Sequence, residues 1–234
     1  MVGPMTVLYT PLDLPDCSFV NVDKFTSWLV SVYPQKEKSS AANKKMTSEN
    51  VYKDQYPWDL TFGAYDGVFL DNFDKEFPEF ARYCLEIFNI KRHELKSIVF
   101  LPVRDTVKGV AFWHRDLDLN GFRFYVINDR HEENPLLIRK TVEPYNKIPD
   151  LKTPLDDNDP RLQTEIFKCI LPKSTQPYYV NNIRSVHSPC INVPGKRIAV
   201  FVAVKSEYEE QIRERNKNLI LRSYEKFKDI AILY

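Results

Sequence analysis

Hydrophobic positions follow two different patterns along the chain, and the pattern changes near residue 97. Before that point, residues 18–34 and 74–90 place apolar side chains at intervals of three and four, which predicts two amphipathic helices. Pro78 suits a first helical turn, where no N–H donor is needed. The charged segment 206–227 predicts another helix towards the end of the chain.

Between residues 97 and 204 the apolar positions form short runs rich in β-branched and aromatic residues, separated by Gly, Pro, Asn and Asp. Strands at such spacing favour a sandwich or barrel over alternating βαβ units. Two polar segments, 35–50 and the Pro-rich 141–160, are expected to be mobile or functional loops. The predicted strands are 97–103, 109–114, 122–127, 135–142, 164–171, 176–181 and 196–204.

The 234 residues are 43% hydrophobic and 13% aromatic, which is enough to form a sizeable core and argues against disorder. The sequence shows no internal repeat and no clear domain boundary. We therefore expect a single domain of residues 1–234. In it, a helical and mixed segment 1–95 supports a β core at 96–205, and residues 206–234 add a helix.

Charge and cysteine content exclude several classes of protein. With 33 Lys+Arg against 32 Asp+Glu, nothing favours binding to nucleic acid or to an anionic membrane. No apolar run is long enough to span a bilayer, and the first residues lack the pattern of a secretory signal. The four cysteines are far apart and form no C-x-x-C pair, so we expect reduced thiols in a cytoplasmic protein.

The stretch WHRDLDLN at 113–120 has the first letters of a protein-kinase catalytic loop without its spacing. Asn120 follows Asp116 by four positions, where that loop needs five, and no Gly-rich phosphate loop precedes it. Phosphoryl transfer is therefore excluded.

The same stretch supplies a candidate metal site. His114 and Asp116 lie two residues apart at the end of a predicted strand, so both side chains reach one face if the backbone stays extended. His187 is the best-placed further histidine, because it just precedes the predicted strand 196–204. Two imidazoles and one carboxylate are the ligand set of non-haem Fe(II) oxygenases. Arg197, ten residues after His187, offers a planar guanidinium that suits the distal carboxylate of 2-oxoglutarate.

The ordered set of His114-x-Asp116, Arg123, His187 and Arg197 resembles the aspartyl/asparaginyl β-hydroxylase-like branch of the Fe(II)/2-oxoglutarate oxygenases. That branch includes free-amino-acid hydroxylases such as the proline hydroxylases. The resemblance covers roughly residues 95–205. It implies a mainly β fold with flanking helices and a double-stranded β-helix core, which is jelly-roll or cupin-like. It also implies that the two histidines and the aspartate bind Fe(II), and that the two arginines bind 2-oxoglutarate.

Tyr125 stands where the family often has a histidine, and its phenol can still donate to a carboxylate of 2-oxoglutarate. Arg184, Trp113 and Arg104, which is expected to lie in a polar turn at 103–109, are the candidate substrate contacts. The resemblance implies a dioxygenase that uses molecular oxygen to hydroxylate a free amino acid or a small amino-acid-derived metabolite. The presence of Asp116 argues for hydroxylation over halogenation, while desaturation or ring formation by the same oxidant stays open.

Three alternatives stay open. The chain could hydroxylate a residue within a peptide or protein, or it could be a cupin-like metalloenzyme that uses no 2-oxoglutarate. It could also be a non-catalytic β-sandwich binding module with structural histidines. Taken singly, His114 with Asp116 could be a surface pair, Arg197 part of a surface ion pair, and Trp113 a core residue.

Overall fold

The computed structural model describes residues 6–32, 67–105, 109–110, 113–114, 119–143, 155, 157–173, 175–182 and 184–233. The polar segment 35–50 lies outside the described residues, as do Asp116 and most of segment 141–160. Arg104 is described by its backbone only.

Helices lie before and after a series of strands. The first elements are β1 (Val7–Pro11), α1 (Val22–Val32), α2 (Gly67–Glu76) and α3 (Pro78–Glu86). The strands that follow are β2 (Leu95–Asp105), β3 (Gly109–Val110), β4 (Leu119–Asn128), β5 (Leu136–Thr141), β6 (Leu162–Cys169), β7 (Tyr178–Val180), β8 (Ser185–Ile191) and β9 (Gly195–Val204). The last elements are α4 (Glu209–Arg215), α5 (Lys217–Lys226) and β10 (Ile232–Leu233).

The strands form two antiparallel sheets. The six-stranded sheet has the order β10-β1-β7-β4-β9-β2, and the four-stranded sheet has the order β3-β8-β5-β6. The longest ladder joins β2 to β9, from Leu95 opposite Val204 to Asp105 opposite Gly195. The predicted mainly β fold with flanking helices is confirmed.

Alternate residues of the six-stranded sheet face two different environments. Ile198, Val200 and Val202 of β9 belong to a large apolar cluster shared with α1, α2 and α3. Ala199, which lies between the first two, packs with Ile138 and other residues of the four-stranded sheet. We call the helix-covered side the outer face of the six-stranded sheet. The side that looks towards the four-stranded sheet is its inner face.

Aromatic rings fill the space between the outer face and the helices. Phe25 of α1 is central to this cluster, with its ring centroid 4.9 Å from that of Phe100, 5.4 Å from Phe77 and 5.6 Å from Phe80. Burial of each such ring stabilises the fold by about 1.5–3 kcal/mol. Apolar residues at helical spacing on α1 therefore form one side of this aromatic cluster, and alternate residues of β2 form the opposite side.

The helix predicted for residues 74–90 is divided by Pro78. The structure ends α2 at Glu76 and begins α3 at Pro78, with Phe77 between them at φ −133° and ψ 58°. Proline has no N–H to donate and restricts the residue before it, so a continuous helix cannot pass this position undisturbed. The suitability of Pro78 for a first turn is confirmed.

The terminal helix predicted for residues 206–227 is also divided. Asn216 separates α4 from α5 and is 4% exposed. Its Nδ2 donates to the carbonyls of Phe88, at 2.8 Å, and Ile212, at 2.9 Å. A buried amide needs such partners, and the bond to Phe88 ties the helix break to the chain after α3.

Several elements carry no clear signal in the sequence. These are α2, β8 and the short strands β1 and β10. The last two come from opposite ends of the described chain and pair with each other through Val7 and Leu233. All four cysteines are free thiols, as expected. Within the described part of the chain, no helix combines the length and apolarity needed to cross a membrane.

Candidate metal centre

Two histidines that are far apart in the sequence lie directly opposite each other in the structure. His114 and His187 form an antiparallel bridge in which each N–H donates to the other residue's carbonyl, at 2.9 and 2.8 Å. Such a pair places both side chains on the same face of the ladder. Their ring centroids are 4.3 Å apart, with the ring planes inclined by 57°. Two members of the predicted triad are therefore neighbours.

Strand β8 positions His187, although the sequence placed this histidine just before a strand and not within one. His187 pairs with Ile138 of β5 and is 2% exposed, whereas His114 is half-buried. Because Ile138 belongs to the cluster between the sheets, His187 faces the inner face of the six-stranded sheet.

Arg123 reaches this pair from β4 in the opposite sheet, and it is 2% exposed. Its Nη1 lies 3.1 Å from Nε2 of His187, and its Nη2 donates to Oδ1 of Asn182 at 2.8 Å. Its guanidinium carbon also lies 5.5 Å from the ring centroid of Phe201 on β9. A buried charge without such contacts would cost several kcal/mol, so these partners explain how the guanidinium is tolerated between the sheets.

Tyrosine side chains add phenol hydroxyls to the polar groups of the inner face. The hydroxyl of Tyr178 donates to that of Tyr125 at 3.1 Å, and the two rings stack with centroids 5.8 Å apart. Tyr9 lies beside Tyr178, with ring centroids 6.0 Å apart, and donates to the carbonyl of Ile170 at 2.6 Å. Burial raises the pKa of Tyr9 and that of Tyr178 well above their ordinary value. These two phenols are therefore neutral hydrogen-bond donors at physiological pH.

Arg197 lies near the start of β9, opposite Asn128 of β4. It alternates with Ile198, which is on the outer face, so it shares the inner side of β9 with Ala199 and Phe201. Its side chain is half-buried. The structure thus puts Arg197 and Arg123 on the same side of the six-stranded sheet, with Arg123 opposite Phe201, four residues further along β9 than Arg197.

The candidate substrate contacts fall in three different places. Arg184 lies in the turn between β7 and β8, half-buried, and its carbonyl accepts from the N–H of Thr141 at 3.0 Å. Arg104, which the sequence placed in a polar turn, lies instead in β2 opposite Lys196. The turn assignment is wrong, because the ladder with β9 continues to Asp105.

Trp113 faces away from the two imidazoles. It is 2% exposed and packs with Leu155, Leu162 and Val186, the residue that precedes His187 on β8. Its indole N–H donates to the carboxylate of Asp157. Because neighbouring strand residues point to opposite faces, this cluster lies on the other side of the four-stranded sheet from His187.

Asp116, the third predicted ligand, lies outside the described residues. Among the residues that are described, no group of three or more His, Cys, Asp and Glu side chains is arranged to hold a metal ion. The histidine pair is therefore the part of the predicted triad whose geometry is known.

Three further residues complete the site, and the sequence analysis assigned none of them a role in it. They are Asn182, Phe201 and Tyr178. Strand alternation with Arg197 and Ala199 could have placed Phe201 on the inner face. No sequence pattern indicated Asn182, because the side-chain orientation of a turn residue cannot be predicted from periodicity. Tyr178 packs in the apolar cluster between the sheets, and its hydroxyl also donates to that of Tyr125.

A surface cleft of about 380 Å³ lies elsewhere, beside α3. Leu14, Phe19 and Tyr83 are among the residues that line it. It belongs to the helical layer over the outer face, so the six-stranded sheet separates it from the histidine pair.

Comparison with known proteins adds little to this geometry. No protein-family model matches the chain, and no curated protein sequence matches it. Among solved structures, the chain is similar to the crystal structure of EvdO2 from Micromonospora carbonacea var. aurantiaca, with 16% sequence identity, a TM-score of 0.39 and 86% of each chain covered. At that identity and TM-score, the likeness supports no conclusion about fold or function.

Proposed function

We propose that this chain is a non-haem Fe(II)- and 2-oxoglutarate-dependent dioxygenase with a double-stranded β-helix core. Its reaction is the hydroxylation of an unactivated C–H bond in a free amino acid or a small amino-acid-derived metabolite. The observation that carries the proposal is the pairing of His114 with His187, whose ring centroids are 4.3 Å apart.

The strand order supports the proposed core. One sheet contains the consecutive neighbours β2, β9, β4 and β7, and the other sheet consists of β3, β8, β5 and β6. Eight strands in two facing antiparallel sheets are the arrangement found in jelly rolls and cupins. The space between such sheets is sheltered from water, which suits a metal centre that carries out oxidative chemistry.

The donor chemistry of the histidine pair fits Fe(II). Imidazole nitrogens are good ligands for this ion, and one carboxylate added to two histidines leaves coordination positions open for small ligands. Asp116, two residues after His114, is the carboxylate that the proposal assigns. Mutual backbone hydrogen bonds form a β-bridge between the two histidines, so this bridge fixes the position of His114 opposite His187 of β8.

The cationic and phenolic groups of the inner face fit a ligand with two carboxylates. Arg197 is the proposed partner of the distal carboxylate, since a guanidinium can donate two parallel N–H bonds to it. Arg123 and Tyr125 are proposed to assist. Because Tyr178 donates to the oxygen of Tyr125, the hydroxyl proton of Tyr125 remains able to point at a carboxylate.

When bound, the iron and 2-oxoglutarate supply the oxidising chemistry, with molecular oxygen consumed and succinate and carbon dioxide released. The chain's own residues bind and orient these groups. Apolar side chains around the site, such as Ile138 and Ala199, exclude water from it. Arg184 and Arg104 stay candidates for binding a substrate carboxylate.

A non-catalytic β-sandwich module is the second candidate, and one observation favours it. The bond between Arg123 and Nε2 of His187 is one that a purely structural core histidine would also make. In that case neither Fe(II) nor another divalent ion binds between the sheets.

An anaerobic titration with Fe(II) and 2-oxoglutarate, followed by visible absorption, tests the proposal. We expect a weak metal-to-ligand charge-transfer band in the wild type that is absent from His187→Ala. The matched control is His93→Ala, since His93 is exposed and packs against Tyr208 away from the sheets. No metal binding by the wild type would leave the β-sandwich module.

Arg197→Ala separates the proposed enzyme from a cupin-like metalloenzyme that uses no 2-oxoglutarate. Loss of a charge-assisted bidentate contact should weaken 2-oxoglutarate binding about tenfold to a hundredfold and leave metal affinity unchanged. Unchanged 2-oxoglutarate affinity would contradict the carboxylate assignment. Succinate formation with free amino acids but not with peptides would favour a free amino acid as the substrate over a residue within a peptide or protein.

A further inference from the structure

We propose that Arg123 is a positioning residue that controls access of the metal ion to His187. It holds this histidine in the tautomer that metal binding needs, and it must leave Nε2 before a metal ion can bind there. The inference rests on the proposed function, because it concerns the same histidine pair.

The contact between the two side chains is built into the interior. Both residues are 2% exposed, and Nη1 of Arg123 lies 3.1 Å from Nε2 of His187. They come from strands in different sheets, so the packing of the sheets brings them together. Asn182 and Phe201 fix the guanidinium from two further directions.

Donor chemistry decides the protonation of His187 in this contact. A guanidinium can only donate hydrogen bonds, so Nε2 of His187 must accept and carries no proton. In a neutral imidazole the proton is then on Nδ1. A histidine that binds a metal ion through Nε2 needs the same tautomer, because its lone pair on Nε2 forms the bond to the metal.

The same lone pair cannot serve two partners. A metal ion on Nε2 therefore replaces the N–H of Arg123, and the nearby guanidinium charge opposes the incoming cation. In a buried site this repulsion is stronger than in water. Arg123 should thus weaken the binding of a metal ion that arrives alone.

An anionic ligand that binds beside the metal ion should offset the weakening of metal binding by Arg123. The bond to Asn182 and the contact with Phe201 do not involve His187, so they can retain the guanidinium near the pair after Nη1 has been displaced. Its freed N–H then suits a carboxylate that binds beside the metal. Metal and carboxylate should consequently bind with positive coupling, and Arg123 should carry part of that coupling.

Mn(II) binding, followed by the loss of the free-ion electron paramagnetic resonance signal, tests this. Arg123→Met keeps an unbranched apolar side chain, although a shorter one, and removes the donors and the charge of the arginine. Without 2-oxoglutarate, it should bind Mn(II) at least tenfold more tightly than the wild type. Addition of 2-oxoglutarate should raise the Mn(II) affinity of the wild type more than that of the variant.

Arg139→Met is the matched control, since Arg139 is a buried arginine of β5 that lies over Trp113 and donates to the carbonyls of Asp157 and Gln163. It should leave Mn(II) affinity unchanged. Equal or weaker binding by Arg123→Met overturns the inference while the proposed function stands. If neither the wild type nor Arg123→Met binds Mn(II), the proposed function itself fails.

A second measurement does not require Arg123→Met to fold. Nitrogen-15 spectra of histidine-labelled wild type, with the His187 signals assigned by their loss in His187→Ala, report which ring nitrogen carries the proton. The metal-free protein should show an unprotonated Nε2, and Zn(II) should shift that signal. A proton on Nε2 in the metal-free protein would overturn the inference.

Discussion

Strand β4 presents two chemically different sides, although all four residues from 122 to 125 are almost fully buried. Phe122 and Phe124 enter the aromatic cluster under the helices, at 1% and 0% exposure. Arg123 and Tyr125, at 2% and 3%, point between the sheets. Burial by itself therefore does not distinguish the part of this protein that holds the fold from the part that carries the candidate chemistry.

The two sides are stabilised in different ways. On the outer face, removal of apolar area from water is sufficient and needs no particular partner. On the inner face, buried polar side chains are stabilised by specific hydrogen bonds, such as the one that Arg123 donates to Asn182. We therefore expect changes on the outer face to act mainly on stability, and changes on the inner face to act mainly on ligand binding.

The largest effect on stability is expected from Phe100→Ala. The Phe100 ring is fully buried, with centroids 4.9 Å from Phe25 and 5.0 Å from Phe73, and truncation leaves a cavity there. The free energy of unfolding, measured in urea, should fall by about 3–5 kcal/mol. Phe19→Ala, at a ring 45% exposed, is the control and should change it far less. A loss of Mn(II) binding by folded Phe100→Ala would contradict the separation of the two faces.

A smaller effect is expected from Glu94→Gln, which breaks the attachment of α4 to the start of β2. Arg215 donates to Glu94 from Nη2 at 2.6 Å and from Nη1 at 3.1 Å, and the Glu94 side chain is 3% exposed. Loss of these charged hydrogen bonds should lower the free energy of unfolding by about 1.5–3 kcal/mol near pH 7.

The same substitution should change how stability depends on pH. Hydrogen bonds from Arg215 lower the pKa of Glu94 below its ordinary value of 4.5. The unfolded state therefore binds this proton more readily, so the contribution is complete above that value and is lost as the pH falls through the lower pKa of the folded state. As the pH falls below that ordinary value, the wild type should lose stability more steeply than Glu94→Gln. Parallel curves for the two proteins would argue against the ion pair.

The smallest effect is expected from the phenol pair, and it compares two inner-face residues directly. Tyr125→Phe leaves the buried hydroxyl of Tyr178 without its acceptor, so the free energy of unfolding should fall by about 1–3 kcal/mol. Tyr178→Phe removes only the donor of that hydrogen bond, so the free energy of unfolding should fall by about 0.5–1.5 kcal/mol. Isothermal titration should show weaker 2-oxoglutarate binding for Tyr125→Phe at unchanged Mn(II) affinity. Equal behaviour of both variants would count against a role for Tyr125 towards the cosubstrate.

Local patterns in the sequence predicted most of the elements but not their limits. Alternation and β-branched content marked seven of the strands, while His187 lies in β8, a strand whose apolar residues are interrupted by Ser, His and Pro. The start of α3 at Pro78 follows from proline's covalent structure and agrees with the predicted first turn, whereas the periodic pattern began at residue 74, within α2. The break at Asn216 depends on its bond to Phe88, and no local pattern contains that contact.

The sequence by itself determined the mainly β fold with flanking helices, because side-chain period and β propensity act over a few residues. It also indicated one set of candidate site residues, which consists of His114, Asp116, Arg123, His187 and Arg197. Only the tertiary structure decided that the two histidines face each other, that Trp113 points away from them, and that Arg123 reaches across to Nε2 of His187. Those contacts join different strands and two sheets, so they depend on register and sheet packing, which are fixed only when the whole core forms.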